Sequence, residues 1–515
     1  MVSHTFEVPN LDALARLAEE IAAIVRPGDL LALKGELGTG KTAFARALIQ
    51  SLLGGAGGEE IPSPTFSLHQ TYATPRMPVH HFDFYRLADP SEALELGVED
   101  ALNDGLTLIE WPERAPGLLP EDRFEFLFED RGEAHGADGT RHITLTGHGT
   151  ASARLARLQA MNAFLGEAGW GQARRAFLQG DASSRAYIRL AAGERRAVLM
   201  DAPRQPDGPP VSGGRPYSAL AHLAEDIRPF VAIAEALRGA GLSVPEIDAA
   251  DLDNGFLLLE DMGSRGFMAE AGGGRPLAEF YGPATDVLVM LRRAAIPAKL
   301  SLPDGTSYRL PDYDQGALTI EVKLVIDWYW PAVKGDRAPD EIEQDFLARW
   351  TPLFDRVLSG SKGWVLRDYH SPNLFVLEGS SGAQNIGVID FQDAVSGHAA
   401  YDLAALLQDA RLDVPAALEA ELFARYCEAC AAQDPSFELA EFETAYAILG
   451  AQRNTKILGI FARLAVRDHK RNYLQHMPRI WSYLGRNLQH PDLAELKTWF
   501  DRHFPSELRG TVPGV

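Results

Sequence analysis

Hydrophobic residues in the first 150 positions follow two different spacings. They recur every three or four residues in LDALARLAEEIAAIV (11–25) and KTAFARALIQSLL (41–53), but form short continuous runs in LLALKG (30–35) and TLIEW (107–111). The first spacing predicts amphipathic helices, and the short apolar runs predict buried strands. Because the two patterns alternate, we predict an α/β domain with a mainly parallel sheet.

The pattern changes after a segment rich in glycine, alanine and threonine at about 131–160. Short strands, AYIRLAAGERRAVLMDAP and GFLLLEDMG, surround one helical stretch, and the residues after 275 are mostly helical apart from a strand pair near LFVLEG and NIGVIDF. A small mixed lobe before a larger helical lobe resembles the two-lobed α+β fold of kinase-like phosphotransferases. The predicted division is an α/β P-loop domain at 1–150, a linker at 151–165, and a kinase-like domain at 166–500, with its small lobe at about 166–262 and its helical lobe at about 263–500.

Composition narrows the class of protein. The chain has 515 residues, of which 46% are hydrophobic and 23% are charged, as expected for a multidomain globular protein. No apolar run approaches the ~20 residues that span a bilayer, and the amino terminus lacks a basic segment followed by an apolar one, so we expect a cytoplasmic protein that binds no membrane. The formal net charge of −22 argues against strong direct binding of nucleic acid. Cys427 and Cys430 are predicted to be thiols on an amphipathic helix.

The stretch GELGTGKT follows an apolar strand and opens a helix, which is the context of a P-loop. Its backbone N–H groups would turn toward the phosphates of ATP, Lys41 would place a positive charge on the outer phosphates, and the Thr42 hydroxyl would ligate Mg²⁺. The predicted nucleotide contacts of this loop are Gly35, Glu36, Leu37, Gly38, Thr39, Gly40, Lys41 and Thr42.

A hydrolytic P-loop also needs a carboxylate at the metal and a group that positions water. Asp83, in HFDFYR, follows an extended segment, and Glu110 ends a strand at the edge where α/β proteins bind ligands. The stretch SPTF, which contains Thr65, lies between them in sequence and is a candidate switch loop. Asp83 and Glu110 are therefore the predicted carboxylates of this site.

The motifs GELGTGKT, SPTF, HFDFYRL and IEWPER together resemble the TsaE family over about residues 5–150. These are small bacterial ATPases of tRNA threonylcarbamoyladenosine synthesis. The resemblance implies an ATPase that binds partner proteins of the TsaB and TsaD type, which carry out the transfer to adenosine 37 of tRNA. It also implies that Thr65 lies in the switch, that Asp83 and Glu110 serve Mg²⁺ and the attacking water, and that Trp111 lies near the nucleotide.

A second set of nucleotide-handling residues lies in RDYHSPN and VIDF. Asp368 is separated from Asn373 by four residues, and Asp390 follows a hydrophobic strand. Kinase chemistry uses these residue types in this order: the first Asp accepts the proton of the attacking hydroxyl, and the Asn and the second Asp hold Mg²⁺. We therefore predict Asp368 as a general base, with Asn373 and Asp390 as metal ligands.

The predicted small lobe contains two candidate nucleotide segments. GDASSR, with Asp181, Ser183 and Ser184, has the place of a loop that covers the phosphates. LLLEDM, with Glu260, has the place of the hinge that would offer backbone groups to adenine. Both segments are predicted to contact ATP.

Met200 occupies the position on the strand RRAVLMDAP where a protein kinase has a lysine. An arginine would take over that role, the candidates being Arg185, Arg189 and Arg196. Alternatively, the kinase-like domain senses nucleotide without catalysis and regulates the ATPase. A third alternative keeps the kinase but gives it another small alcohol, such as an aminoglycoside or choline.

The motifs GDASSRAYIRL, LLLEDMG, LRDYHSPNL, VIDFQDA and YDLAALLQDAR resemble the aminoglycoside-phosphotransferase-like superfamily. Over about 165–495 the chain more closely resembles the AmgK-like amino-sugar kinases. The strand without a lysine is part of that resemblance. It implies phosphorylation of N-acetylmuramate and N-acetylglucosamine at C1 during peptidoglycan recycling, with Asp402 stabilising the catalytic loop. The candidates for sugar contacts are His370, Glu321 and Arg463. The two resemblances together predict a fused bifunctional protein in which each reaction uses ATP and Mg²⁺.

Overall fold

The structure, a computed structural model, describes residues 1–54, 61–129, 140–178, 185–206, 208–510 and 512. It divides into two compact units, one of Met1–Pro203 with Ile247–Asp261 and the other of Arg204–Glu246 with Met262–Val515. The strands predicted for the small lobe therefore join the first 150 residues, whereas residues 204–246 join the helical lobe. Among the described residues, no helix is both long enough and apolar enough to cross a bilayer.

The strands in the described residues are, in chain order, β1 (Val2–Val8), β2 (Leu30–Gly35), β3 (His69–Ala73), β4 (Pro78–Asp83), β5 (Leu106–Glu110), β6 (Arg123–Glu129), β7 (Arg141–His148), β8 (Arg174–Leu178), β9 (Ala186–Ala192), β10 (Arg195–Asp201), β11 (Pro210–Ser212), β12 (Arg215–Pro216), β13 (Ile247–Asp251), β14 (Phe256–Leu259), β15 (Leu300–Ser301), β16 (Ser307–Tyr308), β17 (Gly363–Val365), β18 (Leu374–Val376), β19 (Ile386–Val388) and β20 (Val395–Gly397). The α-helices in the same residues are α1 (Leu11–Ile24), α2 (Lys41–Leu52), α3 (Glu92–Glu95), α4 (Val98–Asp104), α5 (Ala151–Glu167), α6 (Tyr217–Leu220), α7 (Arg228–Gly239), α8 (Phe267–Gly272), α9 (Ala278–Arg293), α10 (Gln315–Leu324), α11 (Trp330–Lys334), α12 (Asp340–Leu358), α13 (Ala400–Leu407), α14 (Ala416–Gln433), α15 (Leu439–Val466), α16 (Met477–Asn487) and α17 (Ala494–His503).

A seven-stranded sheet in the order β1-β7-β6-β2-β5-β4-β3 lies at the centre of the P-loop region. Its four middle strands are parallel, and antiparallel pairs form both margins. The prediction of an α/β fold is confirmed, but that of a mainly parallel sheet is right only for the centre. The strand β7 went unpredicted, although Ile143 and Leu145 alternate there with threonines and are buried.

Strand β2 is continuously apolar because it is buried on both faces of the sheet. Leu31 and Leu33 face one hydrophobic core, whereas Leu30 and Ala32 face a second core on the other side of the sheet. A parallel strand that is covered on both faces buries every side chain, so its residues show no alternation. The P-loop follows directly from the end of this buried strand.

Residues 151–165, predicted to be a linker, lie in helix α5. Leu155, Leu158 and Leu165 of this helix are fully buried in a hydrophobic core. The same core includes α1, the large sheet and the inner face of a five-stranded sheet in the order β13-β14-β10-β9-β8. The linker prediction is wrong because these leucines recur at helical spacing and share one face, and such a face is stable only when buried.

Polar contacts accompany this shared core between α1 and β8. The Arg174 guanidinium donates to Glu19 from Nε at 2.7 Å, and the Arg175 backbone N–H donates to the same carboxylate at 2.7 Å. The Arg76 guanidinium lies 4.1 Å from the centre of the Phe177 ring. The P-loop region and the five-stranded sheet are thus packed as one body.

Replacement of Leu155 by alanine is expected to lower the free energy of unfolding of the first unit by about 2–5 kcal/mol, the usual cost of a cavity left by a buried leucine. The matched control is Leu11→Ala, because Leu11 is 68% exposed and leaves no cavity. Denaturant unfolding of the full chain and its two variants measures both values. Equal stability of the two variants would show that α5 contributes nothing to the core.

The second unit is mostly helical, with α15 at its centre. This 28-residue helix packs against α10, α13 and α16. Two short antiparallel pairs, β17 with β20 and β18 with β19, hold the segments that contain RDYHSPN and VIDF. The helical lobe predicted from the sequence is therefore present, and it carries the second set of candidate residues.

Candidate active sites

The first site begins where β2 ends at Gly35 and α2 starts at Lys41. Gly35 has a φ of 138°, and a Cβ there would lie 2.5 Å from the carbonyl oxygen of Phe128, so only glycine fits. Gly40 caps α2 in the left-handed region, and no side chain caps that helix. Its first backbone N–H groups are therefore available to a phosphate.

Lys41 is 4% exposed and is held inside the loop. Its Nζ donates to the carbonyl oxygens of Gly35 and Glu36 at 2.7 Å each, and lies 4.0 Å from the centre of the Trp111 ring. Burial lowers the pKa of Lys41, and the nearby carboxylates of Glu110, Glu113 and Asp83 oppose that shift. The predicted lysine and tryptophan are thus in contact.

The predicted carboxylates are neighbours across a parallel strand pair. Asp83 and Glu110 are paired in the register of β4 and β5. The Thr42 hydroxyl donates to Glu110 Oε2 at 2.8 Å, and the Thr65 hydroxyl donates to Asp83 Oδ2 at 2.9 Å. The structure therefore brings together residues that are up to 68 positions apart in sequence.

His81 belongs to this cluster and was missed from the sequence. It is fully buried, and its Nε2 lies 2.9 Å from Glu110 Oε1. Glu110 is thereby held between His81 and Thr42. The signal was the alternation along β4, because residues two apart in a strand share a face and His81 precedes Asp83 by two positions.

The donors of this cluster fit Mg²⁺. Among the residues that the structure describes, no group of three or more His, Cys, Asp or Glu side chains is arranged to hold a metal. In nucleotide sites, Mg²⁺ keeps several waters and takes one or two carboxylates together with substrate phosphates. The Thr42 hydroxyl and the carboxylates of Asp83 and Glu110 are oxygen donors of that type, but their roles stay predictions.

The second site is built around the loop of Asp368. Asp402, at the start of α13, accepts hydrogen bonds from the backbone N–H groups of Leu366 at 2.6 Å and Arg367 at 2.9 Å. Burial raises the pKa of Asp402 to about 7, and these two hydrogen bonds oppose the shift. Asp402 therefore braces the loop just before Asp368, the role implied by the resemblance.

Asp368, Asn373 and Asp390 are close to one another. The Asn373 side-chain amide donates to the Asp368 carbonyl oxygen at 3.0 Å, and the Ile389 N–H donates to the Asn373 carbonyl oxygen at 3.0 Å. Asp390 therefore follows a residue bonded to Asn373, and its Oδ1 accepts from the Gln392 amide at 2.9 Å. The Asp368 side chain is 40% exposed, so a hydroxyl substrate can reach it.

Backbone strain marks both sites. Six non-glycine residues among those described have positive φ, and three of these are Trp111, Arg367 and Asp390. Their φ values are 59°, 68° and 60°. The left-handed region is costly for residues with a side chain and is enriched at functional sites.

The candidate sugar residues have different surroundings. His370 Nε2 lies 3.9 Å from Asp368 Oδ1, while its Nδ1 is buried without a hydrogen-bond partner. Glu321 is fully buried, and its carboxylate is bonded to Arg367, Lys456, Gln452 and Tyr313. The prediction that Glu321 contacts the sugar is therefore wrong, because its oxygens already bind four side chains of the protein.

The small-lobe candidates are less completely placed. Asp181, Ser183 and Ser184 lie outside the described residues. Glu260 is exposed directly after β14. The contacts of these four residues with the nucleotide remain predictions.

Met200 pairs with Tyr187 across β10 and β9, on the face opposite the shared core. Arg189 lies on the same face as Met200 and forms an ion pair with Asp261, Nε to Oδ2, at 2.8 Å. Arg196 is at the far end of β10, where it donates to the carbonyl oxygens of Gly193 and Arg195. Which arginine replaces the lysine stays a prediction.

Comparisons with known proteins match two families to two different parts of the chain. Residues 8–141 match the family described as threonylcarbamoyl adenosine biosynthesis protein TsaE, and residues 175–439 match the phosphotransferase enzyme family. Over 362 residues the chain is 38% identical to the N-acetylmuramate/N-acetylglucosamine kinase of Caulobacter vibrioides, covering 68% of this chain and 98% of that protein. The corresponding kinase of Pseudomonas aeruginosa is 36% identical over 66% of this chain and 95% of its own length. The TsaE protein of Rickettsia bellii is 46% identical over 21% of this chain and 74% of its own length.

Proposed function

The chain belongs to the phosphotransferase enzyme family through residues 175–439 and to the TsaE family through residues 8–141, and from this double membership we propose that it is a bifunctional protein. It is an enzyme of the ATP-using phosphotransferase and ATPase classes. In the proposed kinase reaction, N-acetylmuramate and N-acetylglucosamine are phosphorylated at C1, as a step of peptidoglycan recycling. In the proposed ATPase reaction, hydrolysis supports threonylcarbamoyladenosine modification of tRNA.

The observation that carries the kinase assignment is its similarity to the amino-sugar kinase over 98% of that relative's length. The geometry of Asp368 supports it. The exposed Asp368 carboxylate would accept the proton of the C1 hydroxyl, and the loop would stay in place through Asp402. Asn373 and Asp390 would hold Mg²⁺, which neutralises charge on the phosphates when it is bound.

The ATPase assignment rests on the cluster around the P-loop. Lys41 would act on the outer phosphates, and Thr42, Asp83 and Glu110 would serve Mg²⁺ and water. The net charge of −22 favours proteins rather than tRNA as direct partners, because tRNA binding needs clustered cations. The proposed partners are therefore the TsaB- and TsaD-type proteins that carry out the transfer.

A substrate with a blocked anomeric position tests the kinase assignment. We expect transfer of phosphate from ATP to N-acetylmuramate but none to its methyl glycoside, because the glycoside has no free C1 hydroxyl while its C6 hydroxyl is still available. The position of the phosphate is read by NMR, with choline and an aminoglycoside as further acceptors. Ready phosphorylation of the glycoside or a preference for choline would overturn the assignment.

A further inference from the structure

Helix α15 carries two cations on one face in the second unit. Lys456 and Arg463 are seven residues apart, which places them two turns from each other and roughly 10 Å apart along the helix. Both side chains are half-buried rather than fully buried. A ligand can therefore still reach this face.

Lys456, at one end of this face, is linked to the loop of Asp368 through Glu321 and Arg367. Its Nζ donates to Glu321 Oε1 at 2.8 Å, and Glu321 also binds the guanidinium of Arg367. Arg367 directly precedes Asp368, and its Nη1 donates to the Ala221 carbonyl oxygen at 2.7 Å. One buried carboxylate is thus shared by two cations beside the proposed base.

Arg463 is the cation at the other end of this face. Within the described residues it makes no ion pair, and its Nε is buried without a hydrogen-bond partner. The nearest carboxylate on its own segment, Asp468, accepts two hydrogen bonds from Arg467 instead. Asp468 acts on the Arg463 guanidinium only by electrostatic attraction at longer range. A half-buried guanidinium that forms no ion pair is costly, so its presence favours a ligand that supplies a directly bonded negative charge.

Tyr217 interacts electrostatically with both cations. The Arg463 guanidinium lies 5.7 Å from the centre of the Tyr217 ring. Burial raises the pKa of Tyr217 to about 12, Glu321 adds to the shift, and Lys456, Arg367 and Arg463 oppose it. Tyr217 is therefore a neutral hydroxyl donor at neutral pH, with its ring beside Arg463.

The balance of charge around this face is positive. Glu321 is the carboxylate that bonds directly to Lys456 and Arg367, and Asp393 acts on Arg367 only at longer range. The acceptor proposed above differs from N-acetylglucosamine by a lactyl ether on C3 that carries a carboxylate. Guanidinium and carboxylate groups form strong, directional hydrogen bonds.

We propose that Arg463, with Lys456 and Tyr217, forms the subsite for the carboxylate of the acidic acceptor sugar and sets the preference for N-acetylmuramate over N-acetylglucosamine. This inference rests on the proposed function, since it names how that site tells its two acceptors apart. Of the two candidate sugar contacts in the helical lobe, Arg463 is therefore retained in this proposal and Glu321 is not.

Steady-state phosphorylation of both sugars by Arg463→Gln and Arg463→Lys tests this subsite. In Arg463→Gln, kcat/KM for N-acetylmuramate should fall about 10- to 100-fold, mostly through KM, because one charge-assisted hydrogen bond is lost. The value for N-acetylglucosamine should change less than about threefold, and Arg463→Lys should recover part of the loss because it keeps the charge. The matched control is Arg467→Gln, one turn away, whose arginine is exposed and paired with Asp468.

An equal loss for both sugars would mean a structural role and would overturn the subsite, as would no loss for either. Retained phosphorylation of N-acetylglucosamine shows that the variant is folded. If the unaltered protein phosphorylates neither sugar, the proposed function fails, and calorimetric binding of the two sugars then decides the subsite alone. Tighter binding of N-acetylmuramate that disappears in Arg463→Gln would support it, and equal binding by the unaltered protein would refute it.

Discussion

The Asp368→Asn variant is expected to lose amino-sugar phosphorylation by a factor on the order of 10²–10⁴, the range for removal of a positioned general base. Asparagine keeps the size of the side chain but cannot accept the proton of the C1 hydroxyl. The loop should keep its shape, because its backbone is held by hydrogen bonds from the Leu366 and Arg367 N–H groups to Asp402. These hydrogen bonds do not involve the Asp368 carboxylate. Initial rates of sugar 1-phosphate formation give the measurement, and the loss should appear in kcat.

The matched control for this variant is Asp336→Asn, which makes the same chemical change at an exposed residue of the same unit. It should phosphorylate both sugars at the normal rate. ATP hydrolysis without sugar, measured in both variants, should continue at the rate of the P-loop site. Normal sugar phosphorylation by Asp368→Asn would remove this residue from the role of base.

The Lys41→Ala variant is expected to lose P-loop ATP hydrolysis by a factor on the order of 10²–10³, the cost of removing one preorganised electrostatic contact to the reacting group. Support of tRNA modification in the presence of the partner proteins should fall with it. Hydrolysis is best measured without sugar and in the Asp368→Asn background, where the second site contributes least. The matched control is Lys34→Ala, since Lys34 lies on β2, the strand that leads into the P-loop, but pairs with Glu125 at 2.8 Å.

Sugar phosphorylation by Lys41→Ala separates the two-reaction proposal from the regulatory alternative. It should stay within about threefold of the normal rate, because the hydrogen bonds of Lys41 to described residues all go to P-loop carbonyl oxygens, and its Nζ lies against Trp111. Asp368, Asn373 and Asp390 all belong to the other compact unit. A parallel loss of both activities in a folded protein would contradict independence and would favour a kinase-like domain coupled to the ATPase through the shared core.

Residues that act within one short stretch were predictable from the sequence. The P-loop is contiguous, so its strand, glycines, Lys41 and Thr42 can be recognised without knowledge of the fold. Asp83 and Glu110 were also predictable, because each ends a strand and the carboxyl ends of parallel strands meet at one edge. Asp368 and Asn373 are five positions apart, Asp390 follows seventeen positions later, and one hairpin brings the last two together.

The errors concern burial and pairing between distant positions. Helix α5 was predicted as a linker because its small residues resemble a flexible segment. Its leucines are buried because two sheets pack against them, and those sheets are formed by distant parts of the sequence. Glu321 was a candidate for sugar contact because of its place in the predicted helical lobe. Its partners Arg367, Gln452 and Lys456 are 46 to 135 positions away in sequence, so the local sequence pattern around Glu321 could not predict these contacts.

The sequence by itself indicated that two families are joined in this chain. It also predicted the residues of the P-loop and the Asp and Asn residues of a kinase-type loop. Only the tertiary structure decided that the P-loop region shares a core with the five-stranded sheet and that His81 holds Glu110. It also decided that one carboxylate, Glu321, bonds to both Arg367 and Lys456, while Arg463 forms no ion pair with any of the described residues. The physical reason is that motifs encode local backbone geometry and residue chemistry. Whether a side chain is buried and which charge it meets depends on every element packed around it.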